Sequence, residues 1–153
     1  MRKITAFTLF IIILALAAGC GQSDFANVNV KSSRIEFVDP DYDTTEGYLV
    51  LKMEIENLTD SVLYIESSSP TNEEGEKHLW FVIKDEDGNE HKATYYKEIE
   101  SNIFPMSVSP RTTTEGELAF MVTTDVSSVT LEVTQNVVGE GGSKVIYTKE
   151  ISL

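Results

Sequence analysis

Between Gly47 and Asn57 the chain alternates without interruption, with Leu49, Leu51, Met53 and Ile55 in one phase and Val50, Lys52, Glu54 and Glu56 in the other. Side chains of an extended strand point alternately to its two faces, so this period of two describes a strand with one face in a core. A helix would scatter the same residues around its circumference. The pattern recurs in Val28/Val30 and Ile35/Phe37, in Leu118, Phe120 and Val122, and in Val129, Leu131 and Val133. From residue 20 onward Val, Ile and Thr number 35, whereas Ala and Leu together number 11. β-Branched residues favour strands and Ala and Leu lead the helix scale, so composition and periodicity both point to an all-β domain.

Turn signals divide the chain into eight or so strands. Val28 to Val38 is ended by Asp39-Pro40-Asp41-Tyr42-Asp43, because Pro40 has no N–H to give a ladder. Gly47 to Asn57 runs into the turn Asn57-Leu58-Thr59-Asp60, after which Val62 to Ile65 begins another strand. Ser67 to Lys77 reads as a polar loop. His78 to Lys84 and Glu90 to Tyr96 flank Asp85-Glu86-Asp87-Gly88-Asn89, a hairpin in which Asp-Gly supplies the positive φ a tight turn demands. Glu98 to Arg111, with Pro105 and Pro110, reads as irregular. Glu115 to Thr123, Ser128 to Val137 and Lys144 to Ile151 complete the set, the last two joined through Gly139-Glu140-Gly141-Gly142-Ser143. Short strands at this spacing predict a β-sandwich of about seven to nine strands over residues 28–153.

The first twenty residues differ from the rest. Met1-Arg2-Lys3 is a positive head, and Ile4 to Ala18 is an uncharged run whose polar members are Thr5 and Thr8. A positive head, an apolar run and small residues at its end form the secretory signal pattern. At fifteen residues the run is short for a permanent span, which needs about 20 apolar residues. It ends in Leu16-Ala17-Ala18-Gly19-Cys20, which resembles the lipobox of bacterial lipoproteins. That resemblance implies a cleaved signal peptide (1–19), a diacylated Cys20, and a tether (20–27) ahead of the sandwich. Ala17 departs from the box, which prefers Leu three residues before the cysteine. Two acyl chains give stable anchoring where one gives only reversible binding. Gly21 to about Phe25 would then be a short tether reaching about 20 Å.

A second resemblance covers most of the remaining chain, from about Ile35 to Leu153. It rests on Gly47-Tyr48-Leu49-Val50-Leu51 leading into Glu56-Asn57-Leu58-Thr59-Asp60, on Phe81 to Glu90, and on Ser109-Pro110 through Glu115-Gly116-Glu117-Leu118-Ala119-Phe120. In this order the series resembles a family of telokin-like, immunoglobulin-like domains of unknown function in bacterial, mostly Gram-positive, lipoproteins. It implies a β-sandwich on an extracytoplasmic lipoprotein, with no catalytic residues to carry over.

The chain carries 12 Lys+Arg against 25 Asp+Glu, a net charge of −13. Loss of residues 1–19 removes Arg2 and Lys3 and no acid, taking the charge to −15. Such a balance argues against a nucleic-acid partner, whose phosphates demand a Lys/Arg surface. With one cysteine there is no intramolecular disulfide framework and no multi-Cys metal site. No Gly-x-Ser-x-Gly elbow occurs, no Cys–His pair exists outside the anchor, and Gly139 to Ser143 joins strands and opens no helix, so a phosphate loop is excluded. Asn57-Leu58-Thr59 fits a glycosylation acceptor but is expected to be a turn.

Three groups of side chains are candidates for a site. Trp80 is out of phase with Leu79, Phe81 and Ile83, so Trp80 and Val82 share the other face, which Tyr95 and Tyr96 of the next strand would extend as a partner surface. Asp85, Asp87 and Asn89 have the oxygen chemistry of a calcium loop, but with Gly88 at position six the first ligand would be Ile83, so turn chemistry is the expected role. The acidic run Asp39, Asp41, Asp43 and Glu46 is likewise expected to be a solvated loop. His78 and His91 flank the hairpin and, paired around Asp87-Gly88, would lie roughly opposite each other as half of a zinc or copper site, although exposed strand histidines are the plainer expectation.

The resulting expectation is a non-enzymatic binding module on the outer face of the cytoplasmic membrane. It is held there by Cys20, meets an envelope or host protein, and needs no cofactor. A solute- or metal-binding lipoprotein using His78/His91 or the acidic loops is the alternative.

Overall fold

A computed structural model describes residues 23–37, 46–65, 72–94, 104–123 and 125–153. Among the described residues nine strands form two facing sheets: β1 (Ala26–Phe37), β2 (Glu46–Asn57), β3 (Leu63–Ile65), β4 (Lys77–Lys84), β5 (Glu90–Thr94), β6 (Ser107–Val108), β7 (Thr113–Thr123), β8 (Ser128–Val137) and β9 (Ser143–Ser152). The first sheet runs β1-β2-β7-β5 and the second β6-β3-β4-β8-β9. β5 belongs to both, pairing through Glu90–Lys92 with β4 and through Ala93–Thr94 with β7. The chain is an all-β sandwich, as its periodicity predicts.

The core follows from the alternation. Leu49, Leu51, Met53 and Ile55 face inward against Leu79, Phe81, Ile83, Leu131 and Val133 of the second sheet, and all are fully buried. The outward phase of β2 differs from expectation at Val50, which is also fully buried. With Ala119 and Tyr48 it forms a small apolar cluster on the outer face of the first sheet. Arg34 stands opposite Val50 and reaches across β2 to grip Glu117 with both ends of its guanidinium, at 2.6 and 3.0 Å. That bidentate bond holds the Glu117 carboxyl below its ordinary range.

Three features of the topology depart from the linear reading. The stretch from Glu98 to Arg111, expected to be irregular, contains β6, two residues that pair with β3 as Leu63↔Val108 and Tyr64↔Ser107. β3 and β4 run parallel, Leu63 beside Lys77, and parallel neighbours require a crossover rather than a tight turn. The sandwich also begins before residue 28. Phe25 is in the core and β1 starts at Ala26. Residues 1–22, including Cys20, lie outside the described residues.

The entry of the chain is held by a polar side chain in an inward-facing position. Gln135 of β8, fully buried between Val133 and Val137, accepts the Phe25 N–H at 2.7 Å and donates to the Ser23 carbonyl at 3.0 Å. A buried amide is tolerated because both of its ends are satisfied. Lys144 reaches Asp24 at 2.7 Å, and the Lys77 ammonium lies 5.5 Å from the centre of the Phe25 ring. Segment 23–25 is thus fastened to β8, β9 and β4.

Candidate functional site

Outward-facing residues of the second sheet bring three rings into a row. Leu63 and Ile65 face the core, so Tyr64 faces out. In β4, Leu79, Phe81 and Ile83 face the core, so His78, Trp80 and Val82 face out. The parallel register sets Tyr64 beside His78, with ring centres 5.4 Å apart and a tilt of 32°. Alternate residues of one strand stand about 6.6 Å apart on the same face. The His78 and Trp80 rings accordingly stack at 6.3 Å and 17°. Trp80 Nε1 donates to Asn136 Oδ1 on β8 at 3.1 Å, which fixes the indole from the other side. Glu76 Oε2 lies 3.6 Å from His78 Nε2.

The row is where sequence reasoning put a partner surface, with different members. Trp80 and Val82 are half-buried on the outward face as expected. β5 pairs with the first sheet through Ala93 and Thr94, and Tyr95 and Tyr96 lie outside the described residues. Tyr64 takes the neighbouring place instead. Its signal was available in the alternation Leu63-Tyr64-Ile65, but nothing local reveals that β3 runs beside β4.

The histidines do not form a half-site. Antiparallel pairing about Asp87 keeps the sum of partner numbers constant, so His91 stands opposite Ile83 and not opposite His78. His78 is five residues farther along β4, a separation of about 16 Å. Nor is His78 an exposed strand residue, being only 2% exposed between Tyr64 and Trp80. His91 Nε2 lies 3.1 Å from Asp85 Oδ2.

Asp85 is occupied by its own turn. Its carboxylate accepts the N–H groups of Asp87 at 3.0 Å and Asn89 at 2.8 Å, and the Asn89 side-chain amide at 2.9 Å. Gly88 has φ of 82°, the left-handed geometry the Asp-Gly pair predicted. Asp87 and Asn89 are exposed. Among the described residues no three His, Cys, Asp or Glu side chains converge on one point. Asp39, Asp41 and Asp43 lie outside the described residues, and Glu46 is exposed at the start of β2.

The Asp85 turn carries a pH prediction. The side-chain bonds from Asn89 and His91, with the turn N–H groups, lower the Asp85 pKa from 3.8 to about 2. A carboxyl depressed in the folded state adds stability that is complete above its ordinary value and is lost as pH falls through the folded one. The urea midpoint should therefore drop between 3.8 and about 2, and Asp85→Asn should flatten that segment of the curve. An unchanged slope in the variant would mean that another carboxyl titrates there.

At one end of the sandwich a cleft of about 420 Å³ is lined by Ser23, Asp24, Phe25, Thr59, Lys77 and Arg111, among others. Lys77 Nζ donates to Ser61 Oγ at 3.1 Å. Arg111, in the left-handed region at φ 56°, donates to Asp60 at 2.8 Å and keeps that carboxyl below its ordinary range. Among the described residues no helix is long and apolar enough to cross a membrane.

The fold is similar to that of the "putative lipoprotein (ycdA)" of Bacillus subtilis, with a TM-score of 0.59 at 19% identity over 86% of this chain and 38% of that one. This chain thus spans about two fifths of that protein's length. The yjhA protein of Bacillus subtilis gives 0.46 at 12% identity, covering 73% and 74% of the two chains. An uncharacterized β-sandwich protein of Clostridium difficile gives 0.43 at 15% identity, covering 82% and 86%. No protein-family model and no curated protein matches the sequence.

Proposed function

We propose that the chain is a lipid-anchored extracytoplasmic β-sandwich that acts by binding a protein partner through the outward face of its second sheet. The observation that carries this reading is the row Tyr64–His78–Trp80. The outer face of an antiparallel sandwich is ordinarily polar, and here it carries stacked rings with a tethered indole. Tyr and Trp bring large contact area at low entropic cost and are enriched at protein interfaces. The anchor is supported by the resemblance of residues 16–20 to a lipobox, and it agrees with a similar fold on a protein that bears the lipoprotein name. Catalysis is not part of the proposal, since the hairpin carboxylate Asp85 is consumed by turn bonds and the two histidines are apart.

Two measurements test it. Cells fed a clickable fatty acid should label the wild-type chain and not Cys20→Ala, and the variant should be shed into the medium. A photo-crosslinking residue at Trp80 should then capture one defined envelope or host protein, whereas the same residue at the exposed Met121, on the outer face of the first sheet, should not. Equal, diffuse crosslinking from both positions would refute the binding face and leave the anchor standing.

A further inference from the structure

We infer that the end of the sandwich carrying turn 58–61, residues 109–112 and the β8–β9 hairpin lies in the lipid headgroup layer, with the Asp85–Asn89 hairpin pointing away. This rests on the proposed acylation of Cys20. From Cys20 to Ser23 there are three residue steps, and a chain spans at most about 3.3–3.6 Å per residue, so the lead reaches no farther than about 10–11 Å. No slack follows it. The Ser23 carbonyl and the Phe25 N–H are both held by the fully buried Gln135, and Asp24 is paired with Lys144.

Register decides which end is held down. Ala26 pairs with Asn57, and the Leu58 N–H donates to the Phe25 carbonyl at 2.8 Å, so the entry lies against turn 58–61. Arg111 N–H donates to the Thr59 carbonyl, bringing residues 109–112 to the same end. Lys77 pairs with Val137, and Gln135 with Lys144, which adds the start of β4 and the β8–β9 hairpin. β4 then carries the chain away over seven steps, about 23 Å, to Lys84 and the Asp85 turn. An acyl-anchored Cys20 cannot reach the membrane from that far end.

The chemistry of the near end suits a headgroup layer. The chain is strongly acidic and would be repelled by an anionic bilayer. Here the exposed Asp60 and Asp24 are neutralised by Arg111 and Lys144, and Lys77 adds a cation at the cleft. Glu140 is exposed in the β8–β9 hairpin itself and Glu73 and Glu74 beside it, so the hairpin is the less favourable side of this end and the side nearest the lipid is the Asp60–Arg111 rim. The aromatic row then stands on a face that rises from the membrane, with Tyr64 and His78 nearer it than Trp80, and a partner approaches it laterally.

The full lipidated chain, reconstituted in phosphatidylglycerol/phosphatidylethanolamine vesicles that contain a headgroup-nitroxide lipid, gives the test. Single fluorophores on Ser109→Cys, Gly141→Cys and Asp87→Cys occupy exposed positions. Quenching should be several-fold stronger at Ser109 than at Asp87, with Gly141 between them. Twelve Gly/Ser residues inserted between Gln22 and Ser23 should abolish the difference. Equal quenching at all three sites in the native chain, or a difference that survives the insertion, would overturn the inference. Failure of the fatty-acid label at Cys20 would overturn the anchor itself, so the two failures are distinguishable.

Discussion

Replacing Asn57 by alanine is expected to lower the stability of the sandwich by about 3–4 kcal/mol, because one buried amide closes one end of it. Asn57 is 1% exposed. Its Nδ2 donates to the carbonyls of Ser61, Val108 and Ser109 at 2.9, 3.0 and 3.2 Å, and its Oδ1 accepts the Thr59 N–H and hydroxyl, both at 2.9 Å. The amide therefore shapes the turn after β2 and ties it to the end of β6. Alanine takes a donor from the buried Val108 carbonyl and the acceptor from the Thr59 N–H, at about 1–3 kcal/mol for each group left unsatisfied, while the Ser61 and Ser109 carbonyls keep the hydroxyls of Thr59 and Thr112. Urea unfolding of Asn57→Ala and Asn57→Asp tests this. Aspartate keeps the acceptor for Thr59 but points a charge at three carbonyl oxygens, so it should be at least as damaging. A milder effect of aspartate would show that the donor bonds are not the source of stability. The same bonds make Asn57 a poor glycosylation acceptor.

Gly116→Ala is expected to cost about 3 kcal/mol, from backbone crowding and not from lost contacts. A methyl group at Gly116 would stand 2.5 Å from Phe104 Cα and 3.0 Å from Phe104 N. Phe104 is in the core, and its N–H donates to the neighbouring Glu117 carbonyl at 2.8 Å, so it cannot withdraw without losing both. Because the obstruction is main chain, a second change of Phe104→Ala should not restore stability, as it removes only the side-chain contact at 3.0 Å. A Gly116→Ala midpoint equal to wild type would mean that residue 104 does not lie on β7. The glycine in the Gly-x-Leu-x-Phe stretch thus serves close approach of a second segment of chain.

Much of the architecture was legible in the sequence, because strand and turn signals are local. Alternation in Leu49–Ile55 and Val129–Val133, and Asp-Gly in the hairpin, act within a few residues and survive into the fold. The candidate site was half legible. Trp80 and Val82 announce themselves by their phase in β4, whereas Tyr64 joins them only through a parallel pairing that no local pattern encodes. His78 and His91 flank one hairpin in sequence, but register sets His91 opposite Ile83, and a shift along a strand changes every neighbour. Ala93 and Thr94 of β5 already pair with β7, a change of sheet that no local pattern announces, and Tyr95 lies outside the described residues.

By itself, then, the sequence determined the strand class, the turn positions and the resemblance of Cys20 and its approach to a lipid-anchor signal. Each is written in contiguous residues. Tertiary structure alone decided what Gln135, Asn57 and Gly116 do. They hold residues 110, 51 and 12 positions away, and a polar or missing side chain shows its purpose only once its distant partner is in place.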